Sequence, residues 1–154
     1  MRIKTKIVKT MIEQILERGI TPSVISQNTG VSTVTIYNIL SEKSNNTNVE
    51  NIINIAEEYG YVVVLSKNNH LSIKKYDPAF EEKNTIIIKG QDVELYKYLK
   101  ILKELDPITL NNLKGVLDDR DILWMMRSIR TAIEDFIRKK FDINLDDLSK
   151  QKLK

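Results

Sequence analysis

The chain has 154 residues, of which 42% are hydrophobic, and a formal net charge of +3 at pH 7, with an isoelectric point near 9.0. That length suits one ordinary domain or two small ones with a packed core, and it argues against a disordered chain. The absence of cysteine excludes a disulfide framework, a thiolate nucleophile and cysteine-based zinc sites, and the basic balance is too mild to identify a nucleic-acid binder unaided.

Arg2, Lys4, Lys6 and Lys9 concentrate positive charge at the N-terminus, in an arm or the start of a first helix. Ile7, Val8, Met11, Ile12, Ile15 and Leu16 form the apolar stripe of that helix, with Gly19 as its stop. Thr21 then offers an N-cap hydroxyl, and Pro22 suits the first helical position because its missing N–H has no partner there. Val24, Ile25 and Thr29 are expected on one face of this second helix. Gly30 ends it by supplying a left-handed backbone without a Cβ penalty. Ser32 is the next N-cap; Ile36, Ile39 and Leu40 bury one side of a third helix and leave Thr33, Val34, Tyr37 and Asn38 on the other. A fourth helix opens at Thr47 or Asn48, is filled by Val49, Ile52, Ile53, Ala56 and Tyr59, and closes at Gly60. Two short helices about a glycine turn, the second with a polar outer face, point to a helix-turn-helix and to duplex DNA.

The run from Ile25 to Leu40, with Gly30, Val31 and Ile36 at their spacings, resembles the Cro and phage-repressor (XRE, lambda-repressor-like) helix-turn-helix family. The stretch from Ile36 to Lys43 and on through Ile55, Ala56 and Gly60 to Leu65 is similar to the family's branch of antitoxins and small autoregulators. The resemblance covers about the first half of the chain. Three positions depart from the family pattern: Thr29 stands for an aliphatic, Glu42 for a frequent Gly, and Asn45, Asn46 and Thr47 lack the usual Pro. The resemblance implies that Thr21, Ser41, Lys43 and Asn45 hold phosphates, which fixes register without reading sequence. By position in the recognition helix, Thr33, Val34 and Asn38, with Tyr37 beside them, read bases: Asn38 can pair bidentately with adenine and Val34 can pack on a thymine methyl.

After Gly60 the period changes. Tyr61 to Leu65 and Leu71 to Lys74 read as a hairpin around Asn68 and Asn69, with a third short strand at Thr85 to Lys89. Its edges pair across a dimer axis or pack on the chain's own helices. Asp77 and Pro78 break the chain, and Glu81, Glu82, Lys83 and Asn84 make a polar connection, so the domain boundary is expected near residue 78: residues 1–78 as a helix-turn-helix domain with a β-hairpin, and 79–154 as a helical dimerisation or regulatory domain. The expected class is mainly α with a small hairpin or three-stranded sheet. In the second half, Asp92 to Leu105 carries Val93, Leu95, Tyr96, Leu99 and Leu102; Asp106 and Pro107 open a helix with Ile108, Leu110, Leu113, Val116 and Leu117 as its apolar side. Asp118, Asp119 and Asp121 suit the start of a long helix reaching about Phe141. Its residues Ile122, Met126, Ile129, Ile133 and Phe136 alternate steps of four and three, the seam of either a bundle core or a dimer interface. Leu145 and Leu148 add a small terminal helix.

No apolar run approaches the ~20 residues of a membrane span, and no signal-peptide apolar region stands at the N-terminus; a cytoplasmic protein is expected. His70 is a solvent-facing turn residue, and Trp124, Met125 and Met126 are core or interface. With no Gly-rich phosphate loop, cysteine or second histidine, no enzyme, metal or cofactor is expected. The expected function is a sequence-specific transcriptional regulator, a repressor acting as a homodimer on double-stranded DNA with a palindromic operator. The alternative is an antitoxin-like or regulatory protein whose C-terminal helices capture a partner such as a toxin or antirepressor. Richness in Ile, Asn and Lys points to an AT-rich bacterial or phage genome.

Overall fold

The chain begins with a strand rather than an arm. In the computed structural model, which describes residues 1–80, 83–114 and 116–142, β1 (Arg2–Lys4) pairs antiparallel with β2 (Asn46–Asn48), matching Arg2 with Asn48, Ile3 with Thr47 and Lys4 with Asn46. The reason is in Ile3, which is 1% exposed between two outward charged residues. Backbone bonds from Val49 N–H to the Met1 carbonyl and from Thr5 N–H to the Asn45 carbonyl, each 3.0 Å, extend the ladder at both ends. Buried Thr5 and half-buried Thr47 share a hydroxyl–hydroxyl bond of 2.7 Å. This ribbon is not expected from the sequence, where Thr47 or Asn48 reads as the start of the fourth helix.

α1 (Thr5–Glu17) buries Val8, Met11, Ile12 and Ile15 as its stripe predicts, and Gly19 follows it at φ 83°. α2 (Pro22–Thr29) starts as expected: the Thr21 hydroxyl accepts the Val24 N–H at 3.3 Å. Ile25 is fully buried, but Val24 is 40% exposed, so only one of the two adjacent residues faces the core. A helix turns about 100° per residue, and the packed stripe continues from Ile25 to half-buried Thr29, whose hydroxyl donates to the Ile25 carbonyl. Gly30, at φ 75°, makes the turn into α3 (Thr33–Leu40), capped by the Ser32 hydroxyl accepting from Thr35 N–H at 3.2 Å. The expected fourth helix is split, a 3-10 turn at Val49–Asn51 preceding α4 (Ile53–Glu58), which Gly60 follows at φ 80°.

β3 (Tyr61–Ser66), β4 (Leu71–Lys75) and β5 (Thr85–Ile88) form an antiparallel sheet in the order β4-β3-β5. The central place of β3 explains its β-branched run: Val63, Val64 and Leu65 are all buried, as suits a strand flanked on both edges and covered on both faces. The register sets Val63 against both Ile73 and Ile88. The boundary expected near residue 78 lies in the connection between β4 and β5, two strands of this sheet. Ile86 and Ile88 of β5, with Val93 and Leu123 further on, join Ile12, Ile25, Ile36 and Ile55 in one buried cluster, each fully buried aliphatic contributing about 1.5–3 kcal/mol. Helices on a small antiparallel sheet agree with the expected class.

α5 (Gly90–Leu105), α6 (Pro107–Lys114) and α7 (Asp119–Phe141) complete the described part. α7 has the expected limits and a reciprocal cap, in which Asp118 accepts from Asp121 N–H at 2.8 Å and Asp121 accepts from Asp118 N–H at 3.2 Å. Arg127 ties α7 to the rest: its Nε donates to Asp92 Oδ1 at 2.7 Å, and its Nη2 donates to Asp92 Oδ2 and to the Ile87 carbonyl of β5. Asp92 is 1% exposed, so it is a desolvated carboxylate neutralised by one arginine. The expected apolar side of α6 is only partly covered: Ile108 is 75% exposed and Val116, beyond the helix end, 80%, while Leu113 and Leu117 are half-buried. Glu81, Glu82, Leu145, Leu148 and the Leu110 side chain lie outside the described residues. Among the described residues, no helix is long and apolar enough to cross a membrane.

Candidate nucleic-acid interface

The outer face of α3 is the candidate. Ile36 and Ile39, at 0% and 3% exposure, anchor its inner side, and this leaves Val34 66% and Tyr37 58% exposed on the opposite side. Thr33 and Asn38 flank that pair and are half-buried. The helix carries no charged residue (TVTIYNIL), so its face offers hydroxyl, amide, phenol and methyl groups, the set that reads base edges rather than repelling phosphates.

The supports of this helix are hydrogen-bonded from several directions. Asn28 of α2 donates to the Tyr59 hydroxyl at 3.2 Å, and Arg18 donates to the Tyr59 carbonyl at 3.2 Å and to the Tyr61 hydroxyl at 3.0 Å. The Tyr61 hydroxyl in turn donates to Gln14 at 3.0 Å. Asn28 thereby ties α2 to the residue that follows α4, Arg18 and Gln14 tie α1 to the start of β3, and α3 packs against α1 and α2.

At its C-terminal end α3 closes in a Schellman motif. Lys43 N–H reaches the Asn38 carbonyl and Glu42 N–H the Ile39 carbonyl, both at 3.0 Å. Glu42 occupies the left-handed position of this motif at φ 52°, the site where the family resemblance leads one to expect Gly. Glu42 thus takes a backbone conformation that glycine adopts more easily.

The four expected phosphate-holding residues are all exposed. The Thr21 hydroxyl accepts the α2 cap bond from Val24 N–H and keeps its O–H to donate, whereas the Ser41 hydroxyl gives its one hydrogen to the Asn38 carbonyl at 3.2 Å. Lys43 points into a groove beside α3, and Asn45 is fixed through its carbonyl to Thr5. That groove, about 430 Å³, brings Thr35, Asn38 and Lys43 together with Arg2, Asn46 and Asn48 of the ribbon. The charge of Arg2 is legible in the sequence, but its place beside α3 is not, and neither is the gathering of Thr35, Asn46 and Asn48 into this groove. Nearby, burial holds the Met1 α-amino group below its ordinary value of 8.0.

The five seam residues of α7 separate. Ile122 is 3% exposed, enclosed by its own chain, and so is not an available interface residue; the first turns of α7 are used up against α5. Met126 is half-buried and lines an apolar cavity of about 240 Å³ with Leu99, Leu102 and Leu113. Ile129, Ile133 and Phe136 are 53%, 54% and 61% exposed. His70 is exposed in its turn, as expected. Compared with known proteins, the chain matches no family model, no curated protein sequence and no solved structure.

Proposed function

We propose that this chain is a sequence-specific DNA-binding regulator, in which α2 and α3 act as a helix-turn-helix and α3 enters the major groove. The observation that carries the reading is the outward, uncharged face of α3, with Val34 and Tyr37 exposed beside Thr33 and Asn38 while Ile36 and Ile39 lock the other side. The resemblance of residues 25–40 to the Cro and phage-repressor family supports it. Thr33 and Asn38 read bases, Val34 and Tyr37 make the apolar contacts, and Thr21, Ser41, Lys43 and Asn45 set the register on phosphates.

One copy reads a half-site, and half-sites lie about 34 Å or a multiple apart along the duplex. The proposed active state is accordingly a homodimer on a near-palindromic operator, acting as a repressor. The outer part of α7, with Ile129, Ile133 and Phe136 uncovered, is the surface that supports self-association. The 23 residues of α7 span about 35 Å at ~1.5 Å each, enough to join two reading heads.

Selection of duplexes from a random pool by the full chain tests the reading. It is expected to enrich a palindromic sequence, with Thr33→Ala and Asn38→Ala each weakening that sequence by about 1–3 kcal/mol and leaving random duplex unaffected. Failure to enrich any duplex refutes the proposal. Equal loss on selected and random duplex refutes the assignment of Asn38.

A further inference from the structure

The groove between α3 and the ribbon has a chemistry of its own. Its lining is amides and hydroxyls with two cations, Arg2 and Lys43, and contains no carboxylate. Pockets that take small organic ligands are mostly apolar with a few polar groups; here Ile39 is the one aliphatic among the lining residues. One wall is α3 itself, through Thr35 and Asn38, and Asn38 is shared with the proposed reading face, so the groove adjoins that face.

We propose that this groove seats the sugar-phosphate backbone next to the base pairs that α3 reads, making the N-terminal ribbon a second DNA-contacting element. The inference rests on the DNA-binding reading and extends it to residues outside the helix pair. A phosphodiester presents one negative charge and only acceptor oxygens. The groove answers with donors: the guanidinium of Arg2, the ammonium of Lys43 and the amides of Asn46 and Asn48. Arg2 is aimed before DNA arrives, because its Nε donates to the Asn48 side chain at 3.2 Å across the ladder. Its strand is also pinned by buried Ile3 and by the Thr5–Thr47 bond. A free basic arm would have to be ordered on binding, whereas this ribbon carries its cation in place.

The test uses the full chain, a duplex enriched by selection and a random-sequence duplex, titrated across a salt series. Arg2→Ala is expected to weaken both duplexes alike, by about fivefold near 0.15 M salt, and to lower the slope of log affinity against log salt by about 0.9, the loss of one phosphate contact. Arg2→Lys should restore the slope, and Asn46→Asp, which sets a carboxylate in the groove, should weaken both duplexes more than Arg2→Ala. Arg2→Gln, which keeps an amide donor toward Asn48 without the charge, serves if Arg2→Ala lowers the unfolding temperature, and should match it in slope. An unchanged slope for the uncharged variants and unchanged binding for Asn46→Asp, while Thr33→Ala still loses selectivity, would overturn the groove's role and leave the function of α3 standing. A wild-type chain that binds neither duplex overturns both.

Discussion

Glu42→Gly is expected to stabilise the protein, which is unusual for loss of a side chain. Glu42 is exposed and holds φ 52° in the turn that ends α3. An L-residue in the left-handed region costs about 1–2 kcal/mol, and glycine gives back about 0.5–1 kcal/mol through the greater freedom of its unfolded chain. The net gain is about 0.5–1 kcal/mol, or roughly 1–4 °C in Tm for a chain of this size. Urea unfolding followed by circular dichroism should show a higher midpoint at unchanged slope. Glu42→Ala is the control, since it removes the same charge but keeps a Cβ at positive φ, and it should stay close to wild type. If alanine stabilises as much as glycine, the carboxylate rather than the backbone is the cause. If glycine lowers the midpoint, the strain argument is wrong.

Arg127→Ala leaves the buried carboxylate of Asp92 without its cation and should cost about 3–5 kcal/mol in urea unfolding, with part of the loss recovered by adding Asp92→Asn, which removes the charge and keeps an acceptor for the Lys89 N–H; a cost below ~1 kcal/mol would refute the burial argument. Ile133→Asp, at a position 54% exposed, should convert a dimer to a monomer in sedimentation velocity without lowering Tm of the monomer fold. A wild-type chain that sediments as a monomer at all concentrations would remove α7 as the self-association surface.

Local signals in the sequence were good guides wherever a residue's neighbours along the chain decide its state. Thr21, Gly30 and Ser32 hold the caps and turn assigned to them, and Asp118 opens α7. Such positions are set by one hydroxyl or one backbone angle. The ribbon was hidden for the opposite reason. Its strands are three residues each, Lys4 stands 42 residues before its ladder partner Asn46, and asparagine is a poor strand former, so the pairing depends on buried Ile3 and on side-chain bonds such as Thr5–Thr47 that no local pattern announces. The pairing of β5 with β3 is likewise non-local, and the polar, proline-containing stretch between them looks like a linker until the register is seen. On the candidate interface, helical spacing identified the outward face of α3, but the groove needed the ribbon. The partly uncovered stripes of α6 and α7 were legible as apolar faces, and a helical repeat says that a face wants cover without saying which chain supplies it.

β5 returns to β3 after the chain has left the sheet at Lys75, so covalent continuity and physical integrity come apart here. A protease that severed the backbone between Lys75 and Thr85 would yield two polypeptides held as one particle, zipped along Val63 to Ser66, and they would part only in denaturant. The helices before β3 and those after β5 would stay joined across such a nick, like halves of a hinge whose pin is hydrogen-bonded rather than riveted.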